Sequence, residues 1–253
     1  MEKTQDIKTF KKPPYLMIAV LFVGAFVAFL NNTLLNVALP SIMTAFDIKD
    51  YSTVQWLATG YMLVSGVLVP ASAYLITKFR TRPLFLLSMA IFVVGTALAA
   101  FAPSFGLLLT GRMIQAAGAA TMSPLLMNVM LISFPVEKRG QAMGIFGLVM
   151  ILAPAIGPTL SGWIVEHYDW SVLFKMILPI AIVALLLAVW KLEDVLPNRP
   201  AKIDIFSLVL STIGFGGLLY GFSTASSAGC DEHLFVVVFC SSERNGIFRT
   251  HFL

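Results

Sequence analysis

The sequence predicts an all-α membrane protein, and three observations carry that prediction. Of its 253 residues, 58% are hydrophobic and 12% charged, about half the ~25% charge of ordinary soluble domains. Seven apolar runs follow one another, each near the ~20 residues that cross a bilayer, with short polar stretches between them. The basic residues fall in alternate stretches. Lys3, Lys8, Lys11 and Lys12 come first, then Lys78, Arg80 and Arg82, then Lys138 and Arg139, then Lys191, Arg199 and Lys202. The intervening stretches hold Lys49, and Glu166 with Asp169. Positive charge gathers on the cytoplasmic side, so the N-terminus is expected in the cytoplasm of a multi-pass protein of the cell membrane. The net charge of +4 does not point to nucleic acid, because no long basic patch with interleaved aromatics forms. The lipid bilayer is the expected partner.

Taken in order, residues 1–14 are a polar cytoplasmic segment. They lead into a first span too long for a signal-peptide core, so it is read as retained. That span covers 15–36, and a loop follows over 40–53. Residues 54–76 are the second span, with Gly60, Gly66 and Pro70 inside it. The basic loop TKFRTR covers 77–82, and the third span covers 83–101. A tight turn at 102–104 precedes the fourth span, 105–134. The fifth covers 142–165, an acidic turn EHYDW follows, and the sixth covers 172–190. The six spans make one expected domain, 15–190. A linker at 191–204 joins it to a glycine-rich seventh span beginning at 205, within a segment ending at 229. After Gly229 the text changes character. Cys230, Cys240, His233 and His251 all fall in residues 230–253, whose apolar run is too short to span. The expectation is an aberrant tail from a shifted frame or a truncated product. A genuine external tail, in which the two cysteines could pair, is the alternative.

The fourth span carries Arg112 with Gln115 one turn on, among Gly111, Ala116, Ala117, Gly118, Ala119 and Ala120. A cation at membrane depth costs at least ~2.5–3.5 kcal/mol, a cost borne when the charge faces a bundle interior or a water-filled cavity. Snorkelling to the nearer surface is the plainer alternative. Asn31, Asn32 and Asn36 bring amides to the end of the first span, either as interhelical hydrogen bonds or as cavity-lining groups. In the fifth span, Ala153, Gly157 and Ser161 recur every four residues as a close-packing stripe, while Pro154 and Pro158 interrupt the backbone bonding. Methionines at 113, 122, 127, 130, 143 and 150 are adaptable lining or gap-fillers. No span holds a histidine, and no metal-ligand spacing, phosphate loop or dinucleotide fingerprint occurs. An enzyme, a metal site and a cofactor are therefore not expected.

These motifs agree in order and spacing with a known family. LNNTLLNVALP, RMIQAAGAA and APAIGPTLSGW followed by DWSVLF resemble the first-, fourth- and fifth-helix motifs of the major facilitator superfamily. The closest resemblance is to its fourteen-span drug:proton antiporters, near the lincomycin-resistance and multidrug exporters. The resemblance covers residues 15–229 and implies the N-terminal six-helix bundle of such a transporter plus one further helix, truncated. It implies bacterial export of hydrophobic or cationic drug-like molecules, powered by a proton gradient. It also implies substrate or gating roles for Asn31, Asn32, Asn36, Arg112 and Gln115, and an antiporter helix marked by Pro154, Gly157, Pro158, Ser161 and Gly162. Lys78, Arg80 and Arg82 fall where the family's cytoplasmic loop motif lies. There are departures. Asn31 stands where the family commonly carries aspartate, Ala116 where glycine is usual, and Thr77 and Arg80 replace an acidic residue and a glycine. The alternative expectation is a membrane remnant that inserts without transporting and self-associates through its unpaired faces.

Overall fold

The computed structural model describes residues 15–192, with Gly214 and Gly217 beyond them. The N-terminal segment, the seventh span, the tail and nearly all of the 191–204 linker lie outside the described residues. Within them, six helices are long and apolar enough to cross a membrane. These are α1 (Tyr15–Ala45), α2 (Tyr51–Lys78), α3 (Thr81–Ala100), α4 (Phe105–Ser133), α5 (Arg139–His167) and α6 (Ser171–Lys191), with a 3-10 turn Val136–Lys138 leading into α5. Among the described residues there is no strand. In hydrocarbon every backbone N–H and C=O must be satisfied within the segment, and the helix does this. Buried hydroxyls follow the same rule. Ser88 donates to the Leu84 carbonyl and Thr96 to the Phe92 carbonyl, at 2.9 and 2.7 Å.

The helices extend further than the expected spans. α1 continues past Asn36 and through Pro40 to Ala45, where a loop from residue 40 is expected. One proline removes one backbone bond, and the bonds on either side of it carry the helix on. Thr77 and Lys78 close α2 while Thr81 and Arg82 open α3, leaving two residues of the expected six-residue basic loop between them. Glu166 and His167 complete α5 rather than starting a turn. At that same end of the bundle, opposite the basic loop, Asp50 caps α2. It accepts from the Ser52 amide at 3.1 Å and from its hydroxyl at 2.5 Å, and those bonds hold its carboxyl below the ordinary carboxylate range. Ser104 caps α4 by accepting from the Leu107 amide at 3.4 Å.

α1 touches each of the other five helices, most extensively α5 and α6, while α4 lies between α3 and α2. The α3–α4 crossing is the tightest and rests on glycine. A methyl group on Gly118 would stand 2.5 Å from the Ser88 carbonyl oxygen and 2.7 Å from the Phe92 amide nitrogen. One on Gly95 would stand 2.7 Å from the Gly111 carbonyl and 2.8 Å from the Gln115 Cα. Small residues let helix backbones approach this closely, where dispersion rather than hydrophobic exclusion holds transmembrane helices together. The crossing carries Arg112 and Gln115 on α4 past Thr96 on α3. α2 and α5 are the least buried of the six.

Candidate functional site

Arg112 is fully buried, as are Gln115 and Thr96, so the guanidinium does not reach the surface along its stem. Its direct partners come from two other helices and from one turn along its own, and Gln115 links it onward to a third. The Nη1 group donates to Gln115 Oε1 at 2.5 Å, and Gln115 in turn donates through Nε2 to Thr96 Oγ1 at 2.7 Å. The Nη2 group donates to Asn32 Oδ1 on α1 at 3.4 Å. From α2, the ring of Tyr61 lies under the guanidinium, 4.5 Å from its central carbon. Such a contact contributes about 2 kcal/mol when desolvated. Every one of these groups is neutral. Among the described residues the Nε–H has no acceptor. A buried cation is thus held by two amide oxygens and one aromatic face at the junction of α1, α2, α3 and α4.

The three asparagines part company. Asn32 meets Arg112, Asn31 is buried with its Nδ2 unpartnered, and Asn36 is exposed. The four-residue spacing of Asn32 and Asn36 therefore does not put both on the Arg112 site. On α5 the stripe of Ala153, Gly157 and Ser161 is wholly buried and faces α1. Ser161 Oγ donates to the Leu34 carbonyl at 2.6 Å, and Thr33 Oγ1 reaches the Ala153 carbonyl at 3.4 Å. Gly157 sits against Thr33, whose hydroxyl a Cβ there would strike. Pro154 and Pro158 are exposed on the other face, and Gly162 is half-buried with open space where a Cβ would stand. This seam lies just beyond Asn32 on α1. Interhelical hydrogen bonds average ~0.6 kcal/mol, so Ser161→Ala is expected to lower thermal stability slightly. Gly157→Val is expected to lower it far more, because the added carbons meet Thr33. Unfolding in detergent micelles measures both, and equal shifts would show that α1 and α5 do not touch this closely.

Lys78, Arg80 and Arg82 are all exposed at the bundle end where α2 meets α3. Lys78 lies over Tyr74 and Phe79 at 5.6 and 5.7 Å, and Arg82 donates to the Val189 carbonyl on α6 at 2.9 Å. Thr81, between them in sequence, is buried. Tyr61 and Thr96 belong to the Arg112 site but carry no mark of it in sequence. They lie on separate helices, and only the crossing of α2 and α3 with α4 brings them together. Among the described residues, no group of three histidines, cysteines or carboxylates is placed to hold a metal.

Six helices long and apolar enough to cross a membrane thus carry, on a small-residue crossing, a buried arginine that meets only neutral groups among the described residues. The Major Facilitator Superfamily profile matches residues 21–242, and the chain belongs to that family of transporters. It is 54% identical over 84% of its length to YcnB of Bacillus subtilis, described as an uncharacterised transporter of the same type, covering 45% of that protein. It is 46% identical over 83% of its length to the lincomycin resistance protein LmrB of Bacillus subtilis, covering 43% of it. The chain thus spans less than half the length of these relatives. Among solved structures it superposes on the human organic anion transporter MFSD10 with a TM-score of 0.65 over 79% of this chain and 54% of that one, at 18% identity. That likeness shows the fold.

Proposed function

We propose that these helices serve as the N-terminal bundle of a bacterial exporter of hydrophobic or cationic drug-like molecules, coupled to the proton gradient, with the N-terminus in the cytoplasm. The observation that carries this reading is Arg112, buried at membrane depth with only neutral partners. Intramembrane charges mark substrate and ion pathways. The name of the lincomycin resistance relative supports the substrate class. Arginine does not release a proton at physiological pH, and α1–α6 contain no carboxylate except Glu166 at the end of α5. Asp50, at the rim, is held ionised by Ser52. The coupling carboxylate is therefore assigned beyond the described helices or to a loop edge such as Asp47. Asn31, with its free Nδ2, and Asn32 are assigned to the pathway beside Arg112. Asn36 is assigned to an outer gate, the α5 residues to the moving seam and the basic loop to the cytoplasmic gate.

The test is a chimera in which residues 15–192 replace the matching segment of the Bacillus subtilis lincomycin-resistance relative, expressed in an efflux-deficient bacterium. Lincosamide resistance and dye efflux above the empty vector, both abolished by a protonophore, are expected. A chimera that inserts normally and gives neither sinks the export reading, and efflux indifferent to the protonophore sinks the coupling. The broad exposed apolar faces of α2 and α5, with Met62, Val69, Ile145, Leu148 and Ile151 among them, favour a second reading for the 253-residue polypeptide alone. Alone, it inserts and self-associates without transporting. Resistance from that polypeptide, lost on Arg112→Ala, would overturn this.

Orientation is tested by single-cysteine labelling after Cys230 and Cys240 are replaced. A cysteine at exposed Lys138 is expected to be shielded from an impermeant reagent in intact cells, and one at exposed Asp169 to react. Thr81 is unsuitable because it is buried. The reverse pattern would invert the topology.

A further inference from the structure

Between the start of α1 and the end of α6 lies a half-open groove of about 220 Å³. Leu16, Ala19, Val20 and Val23 form one wall, and Ala184, Leu187 and Lys191 the other. The lining is entirely carbon, so Lys191 contributes its methylene stem while its exposed amine lies beyond the rim. Drug-sized pockets measure ~300–1,000 Å³ and place several polar groups. This groove is smaller and has none, so it does not suit a substrate. It lies at the basic end of the bundle. Arg82 is anchored on the Val189 carbonyl two residues before Lys191, and Trp190 between them is 84% exposed, in the manner of an interfacial anchor. An apolar slot in the membrane with a lysine amine just beyond its rim matches the chemistry of a hydrocarbon chain ending in an anion. Basic pockets between transmembrane helices bind acidic lipid headgroups on the same logic.

We propose that the α1–α6 groove is a binding site for an anionic phospholipid, one acyl chain lying against Val20 and Leu187 and the phosphate meeting Lys191. The site is separate from Arg112 and does not depend on the export reading. The lipid bridges the first helix of the bundle and the last, which form the two walls of the groove.

Native mass spectrometry of the detergent-purified 253-residue chain, with phosphatidylglycerol and phosphatidylcholine at equal concentration, tests the proposal. A preference of about fivefold for phosphatidylglycerol is expected, corresponding to the ~1 kcal/mol that one lysine gains near anionic lipid. Lys191→Gln should erase the preference without removing lipid. Ala19→Trp, at an exposed groove position, should remove retained lipid of both kinds while the thermal transition persists. Leu187→Trp fills the groove from α6 if the α1 variant does not fold. Lys138→Gln, an exposed lysine at the same bundle end but on the turn before α5, should leave the preference intact. Equal retention of the two lipids by the unaltered chain overturns the site. So does a preference that survives Lys191→Gln and both tryptophans. Loss of the preference on Lys138→Gln as fully as on Lys191→Gln would assign it to the general charge of that surface.

Discussion

Replacing Arg112 by alanine in the chimeric transporter is expected to reduce export to the empty-vector level while leaving membrane insertion unchanged. The two halves of that expectation have separate causes. Insertion is spared because two opposing terms are similar in size. Removing the guanidinium relieves at least ~2.5–3.5 kcal/mol of burial cost. It also strands Gln115 Oε1 and Asn32 Oδ1, at about 1–3 kcal/mol for a buried group left unpaired. Export is lost because α4 then presents no charge to the junction of four helices. Arg112→Lys should restore part of the activity. An ammonium is a point charge, and it cannot span Gln115, Asn32 and the Tyr61 face at once as a planar fork does. Tyr61 divides the contributions further. Tyr61→Phe keeps the ring face and should export normally, whereas Tyr61→Leu should fall toward the lysine level, since the aromatic face contributes about 2 kcal/mol when desolvated. Dye efflux normalised to protein in the membrane measures all four. Wild-type efflux in the alanine variant would make Arg112 an incidental charge. Equal losses in the phenylalanine and leucine variants would move the importance of Tyr61 from its ring to its hydroxyl.

Gly118→Leu is expected to have the largest effect on the bundle itself. The new side chain would begin 2.5 Å from a backbone oxygen on α3, and no rotamer change relieves a clash with backbone. Overpacking a core costs typically 1–3 kcal/mol, occasionally more. The upper end is expected here because α3 and α4 must separate along their whole crossing, breaking the Gln115–Thr96 bond as they do. Gly147→Leu on α5 is the matched control, with nothing within 4 Å of its added Cβ. Expression as a fluorescent fusion, followed by thermal unfolding in detergent, should show the Gly118 variant scarce or unfolding early and the Gly147 variant close to the parent. Indistinguishable behaviour of the two would mean that the helices do not cross so closely.

Much of this was legible in the chain alone. Segment length and apolarity announced six of the helices, because in a bilayer a run of about 20 apolar residues has no other way to satisfy its backbone. Arg112 was legible for the same reason, since a charge at that depth is costly enough to need a cause. The small-residue stripe of Ala153, Gly157 and Ser161 was readable from its period of four, which places all three on one face. Helix ends were not readable. The first span reads as ending at Asn36, but α1 runs on to Ala45, because Ala38, Leu39 and Ile42 on either side of Pro40 are buried against the bundle and one proline removes only one backbone bond.

What the tertiary structure alone decided is who stands next to whom. Nothing in sequence ties Tyr61 and Thr96 to Arg112, and the resemblance that groups Asn32 with it does not show that they touch, because the three belong to three different helices. Asn32 and Asn36 look like a pair by spacing, yet the packing of α1 against α4 engages Asn32 and leaves Asn36 exposed. Gly95 reads as one small residue in an apolar run until α4 is laid across it. Membrane insertion is written in the length and apolarity of each segment by itself. The site is a property of crossings between segments, and those follow from side-chain shape at contacts far apart in the chain.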